Sequence, residues 1–182
     1  GHHRERLIQK LSQIDQLTNL FNRRRINQCL EQLGQKTDES YALILLDLDH
    51  FKQINDQYGH HKGDEALIKV SNILNQNLRD HDVVGRFGGE EFILILHHST
   101  LTQAQHIAER CRQAIQNIQL QDDDGQTILV TASFGIAISA TELRPQQLLS
   151  RADKALYEAK ACGRNIVKTY SAHSSPILLT EI

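Results

Sequence analysis

Apolar positions along the chain change their period several times, and each change predicts an element. Residues 4–14, RERLIQKLSQI, place Leu7, Leu11 and Ile14 at four-then-three spacing. That predicts a short amphipathic helix with a coiled-coil-like seam. The stretch DQLTNLFNRRR breaks the pattern, after which Asn22 is placed to cap a second helix running through Ile26 and Leu30 until Gly34 ends it. YALILLDLD is a continuous apolar run that stops abruptly in acid, the mark of a buried strand. A polar loop, HFKQINDQYGHHKG, is expected next. From Asp64 onward, Ala66, Leu67, Val70, Ile73, Leu74 and Leu78 share one helical face.

VVGRF and FILIL then predict two strands joined around a Gly-Gly turn. Ile107, Ala108, Cys111, Ile115 and Ile118 mark another amphipathic helix, and ILVTASFGIAIS predicts a strand. Leu148, Leu149, Ala152, Ala155, Leu156 and Ala159 line a last helix closed by Gly163, and NIVKTY is a final short strand. The predicted order is helix, helix, strand, helix, hairpin, helix, strand, helix, strand. It implies an α/β (α+β) sandwich with a central mixed sheet surrounded by helices, one hairpin carrying the Gly-Gly turn.

Composition narrows the class. With 182 residues, 40% hydrophobic and 23% charged, the chain fits one globular domain with a genuine core. No apolar run approaches the ~20 residues that cross a bilayer, and no signal-peptide layout is present. A cytoplasmic fragment without a membrane segment is expected, while a longer parent protein is free to carry one. The net charge of −2 argues against a nucleic-acid polymer as partner, because backbone phosphates call for a basic face. Cys29, Cys111 and Cys162 are scattered and read as reduced packing thiols, and the ten histidines show no metal-ligand spacing. The opening GHH and the lack of Met suggest a trimmed or tagged fragment.

Chemistry concentrates at two acidic corners. Asp47 ends the apolar strand and Asp49 lies two residues on, a spacing that aims both toward one face. Glu90 and Glu91 follow Gly88 and Gly89 in RFGGEEF. If the hairpin pairs beside the first strand, these carboxylates converge, and their mutual repulsion calls for a hard divalent cation. Oxygen ligands without histidine suit Mg²⁺ or Mn²⁺, commonly shared with substrate phosphates, so a nucleotide is the natural guest. In isolation, a solvated hairpin turn would look the same.

Five stretches, in order, together resemble the GGDEF family of diguanylate cyclase domains. They are DQLTNLFNRR (15–24), LDLDHFKQINDQYGHHKGDEAL (46–67), RFGGEEF (86–92), VTASFGIA (130–137) and RADKALYEAKACGRN (151–165). The resemblance implies a catalytic domain over 15–170 and a tail over 171–182, and makes residues 1–14 a tag remnant followed by the end of a connector helix from an upstream sensor domain. It implies that two GTP condense into cyclic di-GMP with release of two pyrophosphates, one GTP being held by each subunit of a face-to-face homodimer. By the same resemblance, Asp47, Glu90 and the backbone carbonyl of Leu48 hold Mg²⁺ or Mn²⁺, and Glu91 is catalytic too, either helping to activate the 3′-hydroxyl or holding a second metal. Asn55 and Asp64 read guanine; Gly88 and Gly89 leave room for the nucleotide; the backbone of His50, Phe51 and Lys52 cradles the phosphates, and Lys160 and Arg164 neutralise them. Plainer roles fit some of these residues too. Asp64 suits a helix start and Lys160 and Arg164 suit a helix end, each through the dipole.

RDHD, residues 79–82, lies just before RFGGEEF and resembles the family's RxxD inhibitory site. That resemblance implies product inhibition by cyclic di-GMP through Arg79 and Asp82, supported by Arg110. Arginine can meet guanine's O6/N7 edge in a bidentate pose, and a carboxylate can accept from its donor edge. Three alternatives stand beside the active enzyme. One is a catalytically inactive cyclic di-GMP receptor that signals by protein contact. Another is a relative that also accepts ATP. The third is a metal-dependent nucleotide hydrolase.

Overall fold

The computed structural model describes residues 1–4, 12–36 and 39–172. Its elements are α1 (Arg23–Gly34), β1 (Tyr41–Leu48), α2 (Phe51–Tyr58), α3 (His60–Asn77), β2 (Val83–Arg86) and β3 (Glu91–His97), then α4 (Leu101–Gln116), β4 (Ala132–Ile138), α5 (Pro145–Ala161) and β5 (Val167–Thr169). The sheet order is β2-β3-β1-β4-β5. β1 is antiparallel to both neighbours, while β4 and β5 run parallel, so the sheet is mixed.

β1 occupies the centre and is covered on both faces, which is why Tyr41 to Leu46 form an unbroken apolar run instead of alternating. Leu43 and Leu45 pack with Ile26, Leu30, Ile93, Leu148 and Leu156 under α1 and α5. Ala42, Ile44 and Leu46 pack with Leu67, Val70, Leu74, Ala108 and Cys111 under α2, α3 and α4. Each fully buried Leu or Ile contributes roughly 1.5–3 kcal/mol to these two half-cores. α5 approaches β4 closely at Gly135, where a Cβ would meet the Leu156 nitrogen at 2.2 Å and the Ala152 carbonyl at 2.3 Å. Any side chain there would push the helix off the sheet.

Local capping sets the helix starts. The Asn22 side chain accepts from the Arg25 N–H at 3.0 Å. Thr100 and Gln103 form a reciprocal capping box that opens α4 well before its first predicted apolar position. Pro145 opens α5.

Several expectations change. The predicted polar loop after β1 is instead the helix α2 and the first turn of α3, which begins at His60 rather than Asp64. Phe51, Ile54 and Tyr58 give α2 its apolar face. Ile14 is not helical: it bridges Phe21 in an antiparallel pair, and Phe21 in turn bridges Gly85 of β2. Leu7, Leu11 and the tail beyond 172 lie outside the described residues. The strand predicted from Ile128 starts at Ala132, and the last strand is only Val167–Thr169. No helix among the described residues is long and apolar enough to cross a membrane.

Candidate active site

The sheet register brings the two acidic corners together. Asp47 lies directly opposite Glu91 across the β1–β3 ladder, and directly opposed residues share a face with Cβ atoms about 5 Å apart. The Leu48 N–H donates to the Glu90 carbonyl at 3.1 Å, which fixes the hairpin turn against the end of β1. Burial pushes the Glu91 carboxyl above the usual carboxylate range. Asp47 and Asp153 push it further, against the opposing pull of Lys160 and Arg23.

The turn is built from backbone and held by two arginines. The Phe87 and Gly88 N–H groups both donate to the Glu91 carbonyl, at 2.7 and 3.1 Å. Arg86 donates through Nε and Nη2 to the Gly89 carbonyl, at 3.1 and 2.8 Å, and pairs with Asp15 at 3.2 Å. Arg23 lies over the Phe87 ring, 4.2 Å from its centroid, and donates to the Phe87 carbonyl at 3.1 Å. Partial burial would raise the Asp15 carboxyl, but the Thr18 hydroxyl and N–H, with Arg86, hold it below its ordinary value. The N-terminal turn is thereby clamped to the Gly-Gly turn. Both arginines stand in recognisable motifs, yet no local sequence rule names their partners.

The oxygens at this corner fit a hard cation. Asp47 Oδ1 is buried with no hydrogen-bond partner, and the Lys160 ammonium rests on Asp47 Oδ2. A cation already neutralises one oxygen of this carboxyl while the other stays unmet. Among the described residues no three His, Cys, Asp or Glu side chains cluster as a complete metal cage.

The proposed base-reading pair lies on the helices after β1. Asn55 is on α2, with its Oδ1 buried and unpartnered. Gly63 of α3 packs against it so closely that a Cβ would stand 1.8 Å from that oxygen. Asp64 is exposed and lies beyond the first turn of α3, so the dipole at the helix start does not account for it. His50 adopts a left-handed conformation, φ 55°, just before α2. The Gln53 and Ile54 N–H groups bond back to the His50 carbonyl. Those of Phe51 and Lys52, at the helix start, have no intrahelical acceptor and suit an anion. Arg164 follows α5 with φ 63°.

Three residues differ from the simple sequence picture. Asp49 does not join Asp47 at the open corner; it is buried and accepts from Ser133, Thr131 and Asn165. Arg79 and Asp82 are paired with each other, at 2.9 Å through Nε and 3.1 Å through Nη2. The Asp82 side chain is fully buried and also accepts the backbone N–H groups of Arg79 and His97. In this conformation Asp82 offers no free acceptor to a guanine. Arg110 holds the end of α3, donating to the Asn77 carbonyl at 3.1 Å. This group lies by His97, at the opposite end of β3 from Glu91, about 20 Å away at strand rise.

A groove of about 770 Å³ opens between the end of α1, the start of β1 and the segment before α5. It contains none of the site residues above, and in its lining Glu39 is already paired with Lys36 at 3.5 Å. The shallow corner at the end of β1 is the better candidate on chemical grounds.

Comparison with known proteins shows the family to which the chain belongs. A family model described as diguanylate cyclase, GGDEF domain, matches residues 12–166. Response regulator PleD of Caulobacter vibrioides is 40% identical over 163 residues, covering 87% of this chain and 36% of its own length. Diguanylate cyclase VdcA of Vibrio cholerae is 39% identical over 162 residues, covering 88% of this chain and 48% of its own. The chain thus spans less than half the length of either relative. Among solved structures, the GGDEF domain of DgcB from Caulobacter crescentus in complex with c-di-GMP superposes with a TM-score of 0.84 at 29% identity, covering 87% of this chain and 96% of that one.

Proposed function

We propose a guanylyl-transfer reaction for this chain, which belongs to the GGDEF family of diguanylate cyclase domains. Two copies, each holding one GTP, meet face to face and convert two GTP into cyclic di-GMP and two pyrophosphates. In each of two equivalent steps the 3′-oxygen of one nucleotide bonds to the α-phosphorus of the other. The bond from that phosphorus to the bridging oxygen breaks, pyrophosphate leaves and the 3′-hydroxyl gives up its proton. One copy orders only half of the reactants, so association supplies the proximity that the reaction requires.

The chain's own groups divide the work. Asn55 and Asp64 bind guanine, the amide meeting its acceptor edge and the carboxylate its N1 and N2 donors. The unpaired N–H groups at the start of α2 hold the terminal phosphates, with Lys160 and Arg164 adding charge. Lys160 neutralises Asp47 in the free protein. Glu91 is the acceptor for the 3′-hydroxyl proton, and its raised affinity for a proton suits that task. A Mg²⁺ or Mn²⁺ held by Asp47, the Leu48 carbonyl and Glu90 would supply charge stabilisation at the transferring phosphate.

The observation that carries this reading is the register pairing of Asp47 with Glu91, beside the orphaned Asp47 Oδ1. The acidic turn is intact, which favours the enzyme over an inactive receptor. Cyclic di-GMP feeds back through Arg79, Asp82 and Arg110 once Arg79 is drawn off Asp82. The reaction consumes GTP, so we place it in the cytoplasm. Its test is a dilution series with GTP and Mg²⁺. Specific activity should fall as the protein is diluted, whereas activity constant across a wide range would contradict the two-copy reaction.

A further inference from the structure

We infer that Asp49 is a positioning residue that sets the triphosphate cradle, an inference that rests on the nucleotide reading above. Its carboxyl is buried, 7% exposed, where no ligand reaches it directly. Oδ1 accepts from the Ser133 hydroxyl at 2.7 Å. Oδ2 accepts from the Thr131 hydroxyl at 2.8 Å and from the Asn165 N–H at 3.0 Å. The Asp49 N–H returns a bond to the Thr131 carbonyl at 2.9 Å. One side chain therefore joins three segments: the end of β1, the start of β4 and the turn after α5.

Each of these segments borders a part of the cradle. Asp49 follows Asp47 and Leu48 and precedes His50, whose φ of 55° starts α2. Asn165 follows Arg164, and the two have φ of 49° and 63°. Non-glycine residues hold left-handed conformations at a cost of about 1 kcal/mol or more each, and only where the surroundings enforce them. Asp49 is bonded to, or adjacent to, two of the three. Asn165 is gripped from its other side as well: its Oδ1 accepts from Arg112 at 2.9 Å, and Glu109 holds Arg112. The anchor is thus adjacent to His50 and the start of α2 on one side and bonded to Asn165, the neighbour of Arg164, on the other. Losing the anchor would release both walls of the cradle while leaving Asn55 and Gly63, on α2 and α3, packed as before.

The test is a calorimetric comparison of GTP and GMP binding, with Mg²⁺, for the parent, Asp49→Asn, Ser133→Ala and Thr131→Val. GMP retains the base contacts and lacks the terminal phosphates. Asp49→Asn should weaken GTP by about tenfold, the factor that 1.4 kcal/mol represents, with GMP affinity unchanged. Ser133→Ala and Thr131→Val, each removing one hydrogen bond with little change of shape, should move GTP the same way by less. Equal losses for GTP and GMP, or no loss for either, would overturn the positioning role. If Asp49→Asn does not fold, the two single-bond variants decide by the same criterion. A parent that binds GTP no more tightly than GMP would instead overturn the phosphate-cradle reading beneath it.

Discussion

Gly63→Ala separates base reading from folding. Gly63 lies in the first turns of α3, where alanine is a better helix former by about 0.5–1 kcal/mol. The added Cβ, however, would stand 1.8 Å from Asn55 Oδ1, 2.9 Å from Asn55 Cγ and 3.2 Å from Phe51 Cζ, where ordinary contact begins at 3.4 Å. The obstacle is the end of a polar side chain rather than backbone, so Asn55 gives way by rotating. The fold loses little, because that oxygen has no protein partner to lose. The lost term belongs to the ligand: one guanine hydrogen bond in a desolvated site, about 1–3 kcal/mol, or roughly five- to a hundredfold in affinity. The assay is GTP and ATP binding beside a thermal melt of parent and variant. The expected result is a melting temperature within a few degrees of the parent and a sharply reduced preference for GTP over ATP. Unchanged discrimination would refute the assignment of Asn55 to the base, and a collapse of stability would refute the claim that Asn55 yields cheaply.

Three further outcomes follow from side-chain environments. Folding raises the Glu91 pKa, so the folded protein holds that proton more tightly and stability falls as pH rises through the window above the ordinary value of 4.5. In chelator-treated buffer Glu91→Gln should therefore melt higher than the parent at pH 7, with the gain gone below about pH 4; an equal gain at both pH values would contradict this. Arg86→Ala removes the clasp on the Gly89 carbonyl and the Asp15 pair, at a cost of about 1–3 kcal/mol in denaturant unfolding at neutral pH. Because folding lowers the Asp15 pKa, the Asp15 part of that contribution is present above its ordinary value of 3.8 and lost as pH falls through the folded value, so the gap between parent and variant should narrow in acid, leaving the part due to the Gly89 carbonyl. Arg79→Ala should abolish inhibition by cyclic di-GMP. It should also lower stability by about 1–2 kcal/mol, because the fully buried Asp82 loses its partner. Undiminished product inhibition would sink the regulatory reading.

Local signals made much of the fold legible. The apolar run that opens YALILLDLD read as a buried strand, as β1 is, and the Gly-Gly turn between VVGRF and FILIL marked the hairpin. Asn22 marked the start of α1 because its side chain caps it. The helix α2 was missed for a physical reason. It is eight residues long, no side chain caps it, and it lies between a left-handed His50 and Gly59 with φ 89°. Its only apolar cue is the spacing of Phe51, Ile54 and Tyr58 within a polar stretch. The site was legible as far as its acids, glycines and cations stand in recognisable order. What holds it was not: Arg86 reaching Asp15, and Asp49 gathering Thr131, Ser133 and Asn165, join positions 71 to 116 residues apart. Periodicity carries no trace of such contacts. Nor does it show that Arg79 and Asp82, three residues apart, satisfy each other across a turn.

The central claim is that the acidic turn and Asp47 together drive condensation of two GTP. The most direct measurement incubates parent and Glu90→Gln with GTP and Mg²⁺ at high protein concentration, separating the nucleotides by chromatography with mass detection. The account predicts cyclic di-GMP and two equivalents of pyrophosphate from the parent and no cyclic product from the variant, which should melt at a similar temperature. GDP and phosphate from the parent, or equal cyclic di-GMP from both proteins, would contradict it.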